Sequence, residues 1–342
     1  MPKKKKEHYV PQGYLEKWCI PGSLHVNVFD KEKDEARTNH IEDTASENYF
    51  YDLNLEGIFT AEEIKYYDLE GVDLSKIDDE QYIENFFANN IEGIFKKALE
   101  QIIFRVRAMN AWEINNCLFI KPEQVFSFSV LLALQYIRVK SVRNSIEEIT
   151  DLLDQALRDK NASPELIDKY TRTSKNQLKY IHGKMIFDNE SISHIAKTFS
   201  EHIWILLKDK TSQPFFTSDN PIGTTEHVHN PCMAMSGVAS EGVEVYFPLS
   251  PDLMLIMLEK THHRKILSKN YRIVEIDDPE IIGDYNSRCV MNSSRCVFSQ
   301  TGDFSIIEKM KAKRPDVLQL PKSTLTWGGK TYIPQKSKNN KK

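Results

Sequence analysis

The stretch PEQVFSFSVLLALQYIRVKSVRNSIEEITDLLDQAL, residues 122–157, decides the fold class. Pro122 suits the first turn of a helix, where its missing N–H has no intrahelical partner to lose. The first half of the stretch is apolar on several sides, whereas a surface helix shows one apolar face. The sequence therefore predicts one long helix that begins at Pro122 and lies buried at the centre of the molecule.

A second long helix is predicted to precede it, from about Asp78. Its apolar residues recur at intervals of three and four, the period of one helix face. They are Ile83, Phe87, Ile91, Ile94, Phe95, Ala98 and Ile102. Two further helical patterns follow, near residues 164–181 and 191–203. The middle of the chain is thus predicted to be a block of helices.

Strand patterns flank this block. LHVNVFD, residues 24–30, alternates apolar and polar positions, and residues 36–52 are expected to pair back on it. Residues 203–221 read as strand, polar turn and strand, and residues 243–259 as a pair of strands bent at PLSP.

The last elements complete the C-terminal pattern. Asp278 and Pro279 suit the N-cap and first turn of a late helix. RCVFSQ, residues 295–300, is expected to return to the C-terminal sheet as its final strand.

These patterns predict an α+β fold with an N-terminal β-hairpin or meander, a central block of long helices and a C-terminal antiparallel sheet. Residues 1–310 are predicted to form a single α+β domain, and a split near residue 210 is the alternative. Residues 311–342 are expected to be a mostly irregular, basic tail.

Composition limits the class of protein. The 342 residues are 40% hydrophobic, enough for a sizeable core, and 45 basic residues nearly balance 49 acidic ones. Five scattered cysteines without a CxxC pair favour reduced thiols, and no apolar run approaches the roughly 18 residues of a membrane span. We expect a cytoplasmic protein that does not contact a membrane.

His8 is the first candidate for chemistry. It opens HYVPQGYLEKW, residues 8–18, just after four consecutive lysines. A side chain with an ordinary pKa of about 6.5 can act as acid, base or ligand at neutral pH, and Gln12 can turn to the same face. A structural histidine, satisfied by hydrogen bonds, is the competing interpretation.

Gln135 and Arg138 lie three residues apart on one face of the central helix. An unpaired guanidinium in a protein core is very costly, so Arg138 must meet a carboxylate or an anionic ligand. Glu92, on the preceding helix, is its natural partner. An internal ion pair and a ligand-binding arginine both fit this pattern.

Asp219 follows a predicted strand within TSDNP, residues 217–221. Asp219 and Asn220 form an Asx-type turn in one interpretation, their oxygens accepting backbone N–H bonds. In the other, Asp219 is a metal ligand or general base that Ser218 and Asn220 orient.

HVHNPC, residues 227–232, is the most metal-like local cluster. His227, His229 and Cys232 are all metal-ligand types, but a closed zinc site needs four ligands and a flexible loop explains the pattern equally well. The lysines at both chain ends offer charge to nucleic acid, yet lack the interleaved aromatics that stack on bases.

Several of these motifs occur together, in a fixed order. They are HYVPQGYL at 8–15, ENYFYD at 47–52, ALQYIR at 133–138, FFTSDNP at 215–221, FPLSP at 247–251 and Asn286 in the late helix. The set resembles a bacterial domain-of-unknown-function family, numbered four-two-three-eight, over nearly the whole chain to about residue 300. The family has no established activity, and Gly13 stands where the resemblance leads us to expect an aromatic residue.

The resemblance implies one assembled polar site. Its members here would be His8, Gln12, Asn48, Glu92, Gln135, Arg138, Asp219 and Asn286.

Two functions follow from the candidate residues. The first is a phosphodiester hydrolase, nuclease-like and suited to bacterial defence, with His8, Asp219 and Glu92 as catalytic residues and a divalent metal as a candidate cofactor. Gln12, Asn48, Gln135, Arg138, Asn220 and Asn286 would bind the ligand, with Arg138 neutralising a phosphate. The second is a non-catalytic sensor or binding module in which the same cluster recognises a small anionic ligand.

Overall fold

The computed structural model describes residues 5–53, 81–171, 175–228, 237–319 and 323–333. Its helices are α1 (Gln12–Leu15), α2 (Tyr82–Phe86), α3 (Glu92–Ala108), α4 (Ala111–Asn116), α5 (Pro122–Arg138), α6 (Lys140–Asp159), α7 (Pro164–Thr171), α8 (Lys175–Phe187), α9 (Asn189–Glu201), α10 (Pro279–Asn292) and α11 (Ser305–Lys313). Its strands are β1 (Lys6–His8), β2 (His25–Asp30), β3 (Glu35–His40), β4 (Ser46–Asn48), β5 (Ile203–Asp209), β6 (Thr217–Ser218), β7 (Gly223–Glu226), β8 (Val243–Ser250), β9 (Leu253–Leu258), β10 (Arg272–Ile276), β11 (Cys296–Ser299), β12 (Leu325–Trp327) and β13 (Lys330–Tyr332).

Two larger sheets organise these strands. One has the order β10-β5-β9-β8-β7, with β10 parallel to β5 and the other pairs antiparallel. The other has the order β3-β2-β11-β6 and is antiparallel throughout. Strand β1 pairs with β4, and β12 with β13. The α+β fold, with N-terminal sheet strands, central helices and a mainly antiparallel C-terminal sheet, is confirmed.

The final strand lies in a different sheet from the one predicted. RCVFSQ does form a strand, but Val297 and Phe298 pair with the N-terminal β2 and with β6. The larger sheet ends in the edge strands β10 and β7, and β11 pairs with neither of them. The edge of the β2–β3 hairpin accepts the last strand, so the two ends of the chain meet in one sheet.

The long helix predicted from Pro122 is broken at Val139, whose backbone is extended. Helices α5 and α6 meet there at a bend of 52°. Side chains replace the helical donors at the break. His182 Nε2 donates to the carbonyl of Ile137, and the Tyr51 hydroxyl to that of Arg138, both at 2.8 Å. The last carbonyls of α5 are thereby satisfied without a following turn.

The other helical predictions are confirmed in outline. The helix predicted from about Asp78 is described from Tyr82, since its expected start lies outside the described residues, and it runs to α3 through a π-helical turn at Phe87–Ile91. The Asp278 side chain caps α10 by accepting from the backbone of Glu280. Beyond Lys311, the segment expected to be mostly irregular includes the β12–β13 hairpin, where Tyr332 packs on α6.

The main apolar cluster joins residues of the N-terminal segment, α3, α5 and the five-stranded sheet. Helix α5 lies within it: Leu132 and Ala133 are fully buried, and Phe128 and Ile137 nearly so. Among the described residues, no single helix is long and apolar enough to cross a membrane.

Candidate functional site

Strand β1 and helix α1 carry the segment HYVPQGYL into the interior. His8 pairs with Ser46 in the antiparallel β1–β4 ribbon. The buried Tyr14 hydroxyl lies 2.6 Å from Thr217 Oγ1 and donates to the carbonyl of Pro248 at 2.8 Å. These two bonds tie the segment to both larger sheets, so its polar side chains have a fixed platform.

Two polar residues of α5 hold the backbone of this segment. Arg138 Nη2 donates to the carbonyl of His8 at 2.5 Å, and Gln135 Nε2 to that of Tyr9 at 3.2 Å. The same Nη2 donates to Glu92 Oε1 at 2.9 Å. The expected pairing of Arg138 with Glu92 is confirmed, and it joins the end of α5 to the start of α3.

The Arg138 guanidinium is not open to solvent. The residue is 1% exposed, and its guanidinium carbon lies 3.9 Å from the centre of the Phe87 ring. This cation–π contact and the Glu92 carboxylate stabilise the buried charge. The Nη2 group of Arg138 is therefore engaged by Glu92 and by the main chain of His8.

The His8 imidazole is almost buried, with 6% of the residue exposed. Its Nε2 lies 3.1 Å from the carbonyl oxygen of Glu42 and 3.3 Å from the Gln12 amide. A carbonyl can only accept, so Nε2 carries the proton and Nδ1 of the neutral ring keeps its lone pair. Burial lowers the pKa of His8, although the charge of Glu92 acts in the opposite direction. The imidazole is therefore neutral at pH 7.

Five of the sequence-predicted residues are thus brought together: His8, Gln12, Glu92, Gln135 and Arg138. The Glu92 side chain is 28% exposed, which gives this group its contact with solvent. Asn48 lies in the adjoining strand opposite Lys6, but it is exposed at the surface.

Asp219 is bound to a different part of the chain. Its Oδ1 accepts from the backbone of Ser294 at 2.8 Å, and its Oδ2 from those of Arg295 and Cys296 at 2.8 and 2.9 Å. Burial raises the pKa of Asp219 to about 6, against the effect of these three donors. Within the described part of the chain, its side-chain hydrogen bonds go to this turn. Asp219 acts here as a brace for the turn that leads into β11.

Asn220 and Asn286 also serve the main chain. Asn220 Nδ2 donates to the carbonyl of Asn292 at 3.1 Å. Asn286 accepts from the backbone of Phe216 at 2.7 Å and donates to the carbonyl of Pro214 at 3.0 Å. Asn286 also lines a separate cavity of about 310 Å³. The structure therefore groups these asparagines with Asp219 rather than with His8.

A family model described as "Protein of unknown function (DUF4238)" matches residues 6–303, which is most of the chain. The chain belongs to this family. No curated protein and no solved structure shows a significant match. The description of DUF4238 names no activity, so the chemistry must be argued from the side chains.

Gly13 packs closely against the side chain of Lys96 in this DUF4238 chain. A Cβ at Gly13 would lie 2.8 Å from Cδ of Lys96, so the lysine stem occupies the space beside the glycine. Lys96 Nζ pairs with Glu16 at 2.6 Å, and its side chain is 39% exposed. An ammonium group thus lies against the HYVPQGYL segment.

Glu7 is a polar residue that the sequence analysis did not single out. It is fully buried and accepts from the backbone of Tyr51 at 2.5 Å and from Gln81 at 3.2 Å. Gln81 also donates to Asp52 at 3.3 Å. Burial, reinforced by Asp52, raises the pKa of Glu7 to about 8. The sequence signal for Glu7 was the alternation of side chains along β1, which turns Glu7 to the opposite face of the strand from Lys6 and His8.

A second buried network adjoins it in this DUF4238 fold. Arg143 Nη2 lies 3.0 Å from Nδ1 of His182, and its guanidinium carbon lies 3.7 Å from the Phe50 ring centre. Burial lowers the pKa of His182 to about 3. His182 is thus a neutral, structural hydrogen-bonding group.

HVHNPC was the most metal-like cluster in the sequence. In the described segments, no group of three or more His, Cys, Asp and Glu side chains could hold a metal ion. His227 Nε2 lies 2.8 Å from Glu244 Oε2, and Tyr285 donates to Oε1 of that carboxylate at 2.8 Å. His229 and Cys232 lie outside the described residues.

Proposed function

We propose that this DUF4238 protein is a hydrolase of phosphodiesters, nuclease-like, with His8 as its general base. One observation carries the proposal: a neutral imidazole lies within a cluster that also holds the partly exposed Glu92 carboxylate, and Arg138 fixes that carboxylate. A base that is unprotonated at working pH, with a carboxylate nearby to stabilise its charged form, is the arrangement that general base catalysis requires.

In the proposed reaction, Nδ1 of His8 takes a proton from a water molecule that attacks phosphorus. Glu92 stabilises the imidazolium that results, and the Glu42 carbonyl, which accepts from Nε2, holds the ring in its tautomer. Arg138 is a positioning residue. Lys96 supplies positive charge for the substrate at the rim of the segment. His8 and Glu92 are also metal-ligand types, which makes a divalent metal a variable to test.

We place the protein in the bacterial cytoplasm, where a nuclease of this kind would suit defence. The four cysteines in the described segments are all free, as thiols in a reducing compartment are.

A second candidate is a binding module for a small anionic ligand, in which the same cluster performs no chemistry. The near-complete burial of His8 favours it. So do Gln135 Oε1 and Arg138 Nε, which are buried and have no hydrogen-bond partner within the described residues. An anionic oxygen that entered here would satisfy Arg138 Nε, whereas Gln135 Oε1 would need a donor, such as a hydroxyl, on the same ligand.

The test is hydrolysis of single-stranded and double-stranded DNA, of RNA and of bis(p-nitrophenyl) phosphate, each with EDTA, Mg²⁺, Mn²⁺ or Zn²⁺. His8→Ala and Glu92→Gln are compared with His25→Ala, a surface histidine of β2. We expect His8→Ala to lower kcat by about a hundredfold or more, and His25→Ala to leave it unchanged.

Folding of each variant is checked by circular dichroism and melting temperature. If the wild type cleaves none of these substrates while nucleotides raise its melting temperature, the binding module replaces the hydrolase. If folded His8→Ala and Glu92→Gln both retain full turnover, the site is wrong.

A further inference from the structure

A groove of about 430 Å³ lies between α3 and α5, apart from the cluster around His8. Its walls include Ile94, Ala98 and Ile102 of α3, and Phe128 and Leu131 of α5. The volume is in the range of small-molecule sites, which are mostly apolar with a few polar groups. Ile94 is 58% exposed, although its spacing puts it on the apolar face of the helix.

The two helices run antiparallel, because Arg138 at the end of α5 pairs with Glu92 at the start of α3. Arg105, near the end of α3, therefore lies at the end of the groove where Lys121 and Glu123 begin α5. Ile94 lies at the opposite end. The groove is consequently charged at one end and apolar at the other.

The charged end has an excess of positive charge. Neither Arg105 nor Lys121 forms an ion pair or hydrogen bond with its side chain in the described parts of the chain, whereas nearby Lys17 pairs with Glu100 at 2.9 Å. Glu123 is the one carboxylate that lines the groove, so two cations face one acid. The N-cap of α5, Lys121, makes no side-chain capping bond, and the positive end of the helix dipole adds to this field.

We propose that the groove binds a free medium-chain carboxylate, with its head at Arg105 and Lys121 and its chain along Ala98 and Ile94. From Ile94 to Arg105 the helix rises about 16 Å, a length suited to an extended chain of medium length. A protein partner would need polar groups around the rim of an apolar centre. Here polarity changes along the groove, as it does along an amphiphile.

The probe is sodium dodecanoate at submillimolar concentration, measured with the full-length chain by isothermal titration calorimetry. Dodecanol tests the head group, and anionic phospholipid vesicles test a membrane source. Arg105→Glu and Lys121→Glu remove the cations, Ala98→Trp fills the groove, and Lys97→Glu is the matched control, an exposed lysine of α3 outside it.

We expect Arg105→Glu and Lys121→Glu each to weaken dodecanoate binding at least about tenfold, Ala98→Trp to abolish it, and Lys97→Glu to leave it unchanged. Dodecanol should bind at least about tenfold more weakly than dodecanoate. Equal binding of the two probes, an equal effect of Lys97→Glu, or binding to vesicles without binding to monomeric dodecanoate would each overturn the proposal. Because these outcomes do not depend on phosphodiester hydrolysis, they leave the proposed function as a separate question.

Discussion

Replacing Asp219 by alanine is expected to destabilise the fold by about 3–5 kcal/mol. The carboxylate accepts backbone N–H bonds from Ser294, Arg295 and Cys296, all at 2.8–2.9 Å. Hydrogen bonds to a charged group contribute about 1.5–3 kcal/mol each, and the desolvation of Asp219 offsets part of their sum. Loss of the brace leaves these donors unpaired at the entry to β11, which joins the two ends of the chain.

Asp219→Asn separates the contribution of the two oxygens. An amide oxygen in the place of Oδ2 keeps the bonds to Arg295 and Cys296, but its NH₂ group then faces the N–H of Ser294. One bond is lost and a donor meets a donor, so we expect a cost of about 1–3 kcal/mol, smaller than that of alanine.

Urea unfolding followed by circular dichroism measures both variants. The control is Asp159→Ala, which removes a carboxylate from a surface ion pair with Lys330 and should leave the midpoint nearly unchanged. The interpretation of Asp219 as a structural brace is refuted if Asp219→Ala unfolds at the same urea concentration as the wild type yet abolishes turnover or ligand binding. That result would return Asp219 to the functional site.

Two further predictions concern the buried charges beside β1. The folded pKa of Glu7 is raised from 4.5 to about 8, so the folded state holds the proton more tightly and stability must fall as the pH rises through this window. Urea midpoints measured from pH 5 to 8 should therefore decrease less in Glu7→Gln than in the wild type. An equal decrease in both proteins would contradict the raised pKa of Glu7. Arg138→Met should cost about 3 kcal/mol in the same assay, because it removes the donor to the His8 carbonyl and leaves Glu92 unpaired, although that carboxylate reaches water. Glu92→Gln should cost at least as much, because it leaves the buried Arg138 guanidinium without its carboxylate.

The sequence patterns were sufficient for the fold class because the helical and strand periods are local. They were insufficient at Val139 and at β11. The break in the central helix depends on His182 and Tyr51, which come from distant segments to satisfy its last carbonyls. The sheet of the last strand depends on which strand edges lie beside it in the folded molecule, and these are β2 and β6, which are far from it in the sequence. The break at Val139 and the sheet of β11 both depend on tertiary contacts between segments that are far apart in the sequence. No local stretch of sequence therefore predicts them.

Part of the candidate site was also predictable, for a physical reason. A buried arginine in an apolar helix must meet a carboxylate or an anionic ligand, so Glu92 could be named in advance as its natural partner. Asp219 offered no such constraint. A carboxylate at a strand end serves equally as a ligand, a base or an acceptor of backbone N–H groups, and its neighbours in sequence are the same in each case.

The polar residues of these motifs divide into groups according to the backbone groups that they bind. Gln135, Arg138 and Asn286 donate to backbone carbonyls, and Asp219 accepts from backbone N–H groups. A functional site needs residues from separate elements that fix its main chain, because a reacting group works only if its geometry is held. An ordered core needs such residues equally. His8 is the residue that can separate these explanations. Arg138 and Gln135 hold the main chain of His8 and Tyr9, so loss of turnover in a folded His8→Ala variant would favour a reacting group, and full turnover would favour an ordered core.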